Sequence, residues 1–263
     1  MRTPPVFGSS LLLLAALAGL GCGDGASSPP SASASAKPQA SAPVAATTTT
    51  PAPKPEAPPR PPRDCGTGPD VVFDDPTWEK AIRFQLQKET GPIKKTELAK
   101  VKSLNVSEAK QNDALDPCIV PELTGLKSLY LAPGTLSDIT LLAKLTRLES
   151  LRLSISQVKD LSPLANMKQL DRLDLGRTPV NDLSPLASLT NLTELMLDGS
   201  EVSDLSPLAK LDKLEMLDIK NTRVKDLSPL QGLRNLEKLY IKGSLVEDIS
   251  PVKGLPKLKL HQE

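Results

Sequence analysis

Aliphatic residues recur along this chain at a fixed spacing of 22 residues. Six units of that length begin at Thr124, Thr146, Lys168, Thr190, Asp212 and Arg234. Positions 3 and 6 of every unit are Leu, and positions 8, 13, 16, 19 and 22 are Leu, Ile, Val or Met. One unit cannot bury seven such side chains alone, so the pattern predicts stacked units that share one continuous core.

Each unit contains two predicted elements. Positions 5 to 9 alternate, with 6 and 8 facing the core and 5, 7 and 9 facing outward, which predicts one strand per unit and a parallel sheet. The later segment reads "DLSPLA" in its clearest copies, such as residues 160–165. Ser162 before Pro163 suits a helix N-cap followed by the first helical residue. We therefore expect a helix of one to two turns as the return of each unit, although the first unit has Leu141 in place of Pro.

The segments on either side of the array predict its two ends. Upstream, Asp75 and Pro76 can begin a helix. Its apolar face would comprise Trp78, Ala81, Ile82 and Leu86. Val101, Leu104 and Val106 then predict a degenerate strand. Downstream, a seventh unit starts at Pro256 and stops, with His261 expected at a position where the other units have Leu.

These repeats resemble the leucine-rich-repeat family, in the short 22-residue form of bacterial internalins, over roughly residues 70–260. The resemblance implies an α/β solenoid with a concave parallel β-sheet, short helical or 3-10 returns on the convex side and an N-terminal helical cap. The family carries Asn at position 11, whereas this chain has Gly134, Ser156, Thr178, Ser200, Thr222 and Ser244. Hydroxyls offer fewer donors than amides, so we expect lower stability per repeat.

The first 63 residues differ in composition from the rest. Residues 1–21 combine one Arg with an apolar stretch, which is typical of a signal peptide. Cleavage after Ala18 is one reading. The other is a lipobox ending in Cys22, which would then be lipidated, although Leu20 lies two residues before the Cys instead of three. Residues 22–63 are rich in Ala, Ser, Thr and Pro and predict a disordered tether. The further expected regions are 64–123 as cap and first repeat, 124–255 as six repeats, and 256–263 as a truncated repeat.

Cysteine and histidine usage limits the chemistry. The chain has three Cys, so lipidation of Cys22 would leave Cys65 and Cys118 as a disulfide pair, which we favour over a metal site. The single His, His261, offers no positioned base for nucleophilic catalysis inside the domain and no His-rich metal site. We expect no enzyme activity, no metal and no cofactor. Lys plus Arg (32) nearly balances Asp plus Glu (31), which disfavours nucleic acid as a ligand.

A column of carboxylates lies at one position of every unit: Asp138, Asp160, Asp182, Asp204, Asp226 and Asp248. A calcium-binding ladder is one reading, because hard cations need clustered carboxylates. The other is that each Asp accepts backbone N–H groups of the turn that follows it. Every copy has the same turn context, which favours the structural reading.

The outward positions of the strands vary from unit to unit, unlike the core. We predict that a protein partner binds there, because Tyr and Met are enriched at interfaces and solenoids bind partners on the concave side. The predicted contact residues are Tyr130, Arg152, Asp174, Glu194, Met196, Asp198, Met216, Asp218, Lys238 and Tyr240. Met196, Met216 and Tyr240 are expected to form an apolar island.

The predicted function is a monomeric lipoprotein of a bacterial cell envelope, on the outer membrane or the periplasmic face, or a secreted protein, that recognises another protein. A lipid anchor would be its only membrane contact. The alternatives are a structural spacer without a ligand, and a regulatory or carbohydrate-binding module.

Overall fold

Eight short parallel strands form one sheet in the computed structural model, which describes residues 63–110 and 113–262. The strands follow each other in chain order, and each pairs with the next. They are β1 (Ser103–Val106), β2 (Ser128–Leu131), β3 (Ser150–Arg152), β4 (Arg172–Asp174), β5 (Glu194–Met196), β6 (Met216–Asp218), β7 (Lys238–Tyr240) and β8 (Lys259–His261). The predicted leucine-rich-repeat solenoid is confirmed.

The core is a stack of equivalent aliphatic side chains. The leucine at the centre of each strand lies in register with that of the next, as Leu173 does with Leu195 and Leu195 with Leu217, and all three are fully buried. Positions 3 and 8 and the return positions 13, 16, 19 and 22 supply the remaining buried aliphatic side chains of the central units. The apolar pattern of the sequence therefore predicted the core correctly.

The returns are short 3-10 helices, and six of the eight within the described residues are single turns of three residues. In order they are Lys95–Lys100, Val120–Glu122, Thr140–Lys144, Ser162–Leu164, Ser184–Leu186, Ser206–Leu208, Ser228–Leu230 and Ser250–Val252. The prediction that Ser162 is an N-cap was wrong, because Ser162 is the first residue of its turn and its side chain does not cap it. The Asp160 carboxylate takes that role instead, since its Oδ1 accepts the Ser162 N–H at 2.8 Å.

The chain leaves the sheet at position 10 in a left-handed conformation. The residues with φ between 54° and 72° there are Ile155, Arg177, Gly199, Asn221 and Gly243. At position 11, the hydroxyls of Thr178 and Thr222 donate to the carbonyl three residues earlier, at 2.6 and 2.7 Å. These bonds lie within a unit, so these two hydroxyls close their own turns without linking one unit to the next.

The N-terminal cap is built as predicted. Helix α1 (Pro76–Leu86) begins after Asp75, whose Oδ1 accepts the Thr77 N–H at 2.7 Å. Trp78 and Ile82 are buried in the common core, and Ala81 and Leu86 pack against it. The helix lies against β1, so its apolar face covers the end of the repeat core.

A disulfide joins the chain in front of the cap to the segment after β1. Cys65 and Cys118 are 53 residues apart in sequence, and their Cα atoms are 5.2 Å apart. The guanidinium of Arg63 pairs with Asp116 next to this link, and its Nε lies 2.8 Å from Asp74 Oδ2. The cap is therefore closed covalently and by ion pairs.

The last strand differs from its prediction. Leu260, not His261, lies in register with Leu239, and His261 lies in register with Tyr240. The expectation that His261 takes a core leucine position was wrong. In the other units the leucine at the strand centre follows the leucine at position 3 by three residues, whereas Leu260 follows Leu258 by two. His261 consequently has the position that Tyr240 has in the preceding strand.

The predicted signal peptide, the lipidation of Cys22 and almost the whole of the predicted tether lie outside the described residues. Among residues 63–110 and 113–262, no helix is long and apolar enough to cross a membrane.

Candidate functional site

Two columns of side chains form the face of the sheet opposite the core, called here the open face. The first strand position after β1 carries Ser128, Ser150, Arg172, Glu194, Met216, Lys238 and Lys259. The third carries Tyr130, Arg152, Asp174, Met196, Asp218, Tyr240 and His261. The invariant leucine between them is buried in β2 to β7 and partly buried in β8, so these columns can vary without changing the core. The structure thus places the predicted contact residues together on one face.

Polar contacts occupy the β2–β4 part of the open face. The Tyr130 hydroxyl lies 3.3 Å from Ser150 Oγ, and Arg152 Nε donates to Ser154 Oγ at 3.0 Å. Arg152 also lies 3.2 Å from Asp174 Oδ2. This part of the face is therefore electrostatically balanced within itself.

Three carboxylates converge at the middle of the face. Burial raises the pKa of Asp198, and repulsion from Asp218 and Asp174 adds to that rise, whereas Lys220 and Arg177 oppose it. Asp218 is only 8% exposed and lies 3.0 Å from Lys220 Nζ. Asp198 is the carboxylate here that the folded state disfavours in its charged form.

Glycine at position 176 makes room for this carboxylate group. A Cβ at Gly176 would lie 2.4 Å from Asp198 Oδ1. The backbone N–H of Gly176 donates to Asp174 Oδ1 at 3.0 Å. The residue therefore positions two of the acidic side chains. This role could not be predicted from the sequence, since the contact depends on the neighbouring unit.

The two methionines are diagonal neighbours. Met196 lies in register with Asp174 and Asp218, and Met216 lies in register with Glu194 and Lys238. Both are partly exposed. The apolar group at the centre of the face is thus bordered on both sides by charged side chains.

Tyr240 is separated from Met196 by Asp218 in the same column. Its ring stacks on His261, with ring centroids 4.4 Å apart and an angle of 16° between the planes. Lys220 Nζ lies 5.5 Å from the centre of the Tyr240 ring. The predicted site omitted His261, because the shortened last unit could not be recognised from the 22-residue spacing.

The column of six aspartates lies on the returns, away from the open face. Each Oδ1 accepts the backbone N–H two residues later at 2.8 Å, from Thr140, Ser162, Ser184, Ser206, Ser228 and Ser250. Bonds to the serine at the start of each turn lower the pKa of the last five aspartates. The structural reading of the column is confirmed. Within the described part of the chain, no three His, Cys, Asp or Glu side chains are grouped so that they could hold a metal ion.

Comparisons with known proteins agree with this fold. Residues 212–259 match the family model described as Leucine Rich repeats (2 copies). No curated protein sequence matches the chain.

Several solved structures share the fold. An internalin (InlF) of Listeria monocytogenes is 31% identical with a TM-score of 0.65, over 72% of this chain and 56% of that one. Internalin C2 of the same species is 26% identical with a TM-score of 0.59, over 73% of this chain and 95% of that one. A leucine-rich-repeat protein of Leptospira interrogans, 24% identical with a TM-score of 0.57 over 63% of this chain and 44% of that one, shares the fold alone. The chain spans little more than half the length of the first of these proteins. Its repeats, cap and core make it a leucine-rich-repeat protein of the internalin-like type.

Proposed function

We propose that this chain is an exported binding protein that recognises another protein through the open face of its repeats. The observation that carries the proposal is the contrast between a constant core and a varied face. Every strand centre is leucine, whereas the side chains beside it include tyrosine, methionine, aspartate, glutamate, arginine and lysine. The fold depends on its core and does not require particular side chains in the exposed columns. Solenoids bind partners on such surfaces.

The composition of the face supports a protein ligand. Met196 and Met216 provide adaptable apolar contact area, and charged side chains surround them. An apolar centre with a polar rim is the usual arrangement of a protein-binding site. The predicted contact residues keep this role in the proposal, and His261, Lys220 and Lys259 join them.

Export and anchoring form the second part of the proposal. The Cys65–Cys118 disulfide fits an oxidising compartment outside the cytoplasm. The sequence of residues 1–22 supports a signal peptide, with Cys22 as the lipidated residue of an envelope lipoprotein. The Cys22→Ala variant should leave the membrane fraction and appear in the soluble fraction. If both forms fractionate in the same way, Cys22 is not the anchor.

Partner capture tests the binding face. A photocrosslinking residue at position 196 in the full chain, in intact cells, should yield one dominant crosslinked partner. The Met196→Glu and Tyr240→Ala variants should weaken capture of that partner by about 1–3 kcal/mol, the range of interface hot spots. Their circular dichroism should be unchanged, because neither side chain is part of the buried core.

Lys159→Glu is the control, since Lys159 is exposed and lies in a return segment away from the open face. Capture that is sensitive to Lys159 and insensitive to Met196 and Tyr240 would place the binding surface on the returns. A chain that captures no partner would instead be a structural spacer.

A further inference from the structure

The cations of the open face divide into two groups along the sheet. Between β3 and β6 they have carboxylate partners. Arg172 Nε lies 3.6 Å from Glu194, Lys220 Nζ lies 3.0 Å from Asp218, and Arg152 is paired as described above. The fold therefore neutralises these charges by itself.

The cations on β7, just after it and on β8 have no such partners. Lys238, Lys242 and Lys259, called here the lysine end, are exposed and form no ion pair with any of the described residues. Lys238 and Lys259 lie directly opposite each other in register. Like charges at such positions destabilise a sheet, so the arrangement is unfavourable to the fold on its own.

An aromatic pair lies beside these charges. The rings of Tyr240 and His261 stack on each other, on the same two strands as Lys238 and Lys259. Lys220 approaches the Tyr240 ring. The rings provide a flat surface and hydrogen-bonding groups at their edges. A ligand that carries carboxylates could therefore meet several cations and a rigid contact surface within two strand spacings, roughly 10 Å.

We infer that the lysine end binds an acidic polypeptide segment, whose Asp and Glu side chains supply the counter-charges that the fold lacks. This inference rests on the proposed function and specifies the chemistry of the partner. Bound carboxylates would relieve the repulsion between Lys238 and Lys259, so binding would recover stability that the free protein lacks.

The rest of the face favours a polypeptide over a uniform polyanion. Glu194 on β5 and Asp198 just after it lie three strands from Lys259, with the methionines nearby. A polysaccharide sulfate or an anionic lipid surface extending over them would be repelled. A polypeptide can place carboxylates over β7 and β8, apolar residues over Met196 and Met216, and basic residues over the middle of the face.

A library selection tests the inference without a known partner. The purified full chain is used to select binders from a random dodecapeptide phage library, and the enriched peptides are synthesised and titrated by fluorescence anisotropy. Enrichment of peptides that combine Asp or Glu with apolar residues is the expected result. Their affinity should fall as ionic strength rises, because exposed charges are screened by salt.

Two triple variants separate the lysine end from net charge. Replacing Lys238, Lys242 and Lys259 together with Glu should weaken binding of the selected peptides by at least about tenfold. Each exposed charge pair contributes only a modest amount, so all three are changed at once. The matched control replaces Lys159, Lys210 and Lys225 with Glu, which changes the net charge equally on exposed sites away from the open face. This control should change affinity less than about twofold. Melting curves establish that both variants are folded.

Three outcomes overturn the inference. One is a set of peptides without acidic enrichment, and another is equal binding to the two triple variants. The third is that heparin or phosphatidylglycerol vesicles bind through the lysine end while the peptides do not, which would identify a polyanion ligand. Peptides that lose affinity in Met196→Glu and keep it in the lysine-end variant would refute this inference and leave the proposed function intact. Peptides insensitive to both variants would refute both.

Discussion

Reducing the Cys65–Cys118 disulfide should loosen the cap and leave the later repeats unchanged. The bond closes a loop that spans 53 residues and contains α1 and β1. For a loop of that length, the chain-entropy relation gives about 4 kcal/mol of stabilisation against opening. After reduction, the segment before the cap is still held by the ion pairs of Arg63 and by backbone bonds such as that from Val71 N–H to the Ile93 carbonyl, but ion pairs of this kind contribute little. Each unit contacts only its neighbours, so the repeats from β5 onward are not in contact with the cap. They can open from the C-terminal end of the array, where reduction changes no bond.

Hydrogen exchange measured by mass spectrometry can resolve this difference. A loss of about 4 kcal/mol corresponds to exchange about a thousandfold faster in peptides that cover α1 and β1. Peptides that cover β5 to β8 should exchange at the same rate with and without reductant. The Cys65→Ala, Cys118→Ala double variant should match the reduced protein and should not respond to reductant. Equal acceleration throughout the array would show that the repeats open as one cooperative unit, and the local argument would then be wrong.

Four further variants probe stability in urea titrations. Leu195→Ala should lower the free energy of unfolding by about 3–5 kcal/mol, because the fully buried side chain leaves a cavity between two equivalent leucines; a loss below 1 kcal/mol would contradict the packing. Asp198→Asn should stabilise the protein at neutral pH, because burial and neighbouring carboxylates raise the pKa of Asp198; the gain should shrink as the pH falls through the raised folded-state pKa and be absent below the ordinary value of 3.8. The pKa of Asp204 is lowered by its bonds to Ser206, so its contribution is complete above 3.8 and is lost as the pH falls through the lower folded value; Asp204→Asn should flatten that acid decline, and an unchanged decline would contradict the capping role. Lys259→Glu should raise stability by about 0.2–1 kcal/mol by replacing repulsion from Lys238 with attraction, whereas a loss of stability would show that the two lysines do not repel each other.

The repeat pattern was sufficient to predict the fold. The leucine at position 6 and the aliphatic residue at position 8 specify which face of each strand is buried, and the fixed spacing specifies that the strands pair in parallel and in order. The cap could also be read from the sequence, since Asp75 and Pro76 mark a helix start and Trp78 and Ile82 mark its buried face. These features depend on residues close together in the chain.

Most of the details that could not be predicted from the sequence depend on contacts with a neighbouring unit. The register of β8 was misjudged because the last unit is one residue shorter before its strand, so the 22-residue count assigned the leucine position to His261, and only strand pairing shows that Leu260 occupies it. The space at Gly176 is defined by Asp198 of the following unit. Asp160 and Ser162 both suit the start of a helix, and the sequence did not show which of them caps the turn. The structure begins the 3-10 turn at Ser162, so the Asp160 carboxylate is the cap.

The in-register stacking of equivalent units has a consequence for how such a surface can change. Each 22-residue unit adds one strand, which moves everything after it by about 4.8 Å along the sheet. A duplication of residues 190–211 would move Lys238 and Lys259 one strand further from Asp174 and would keep the local contacts of both ends. A deletion would move them closer by the same step. The separation between the acidic and basic parts of the open face can therefore change only in whole strands, and a ligand with two charged groups would be matched in length by the number of repeats between them.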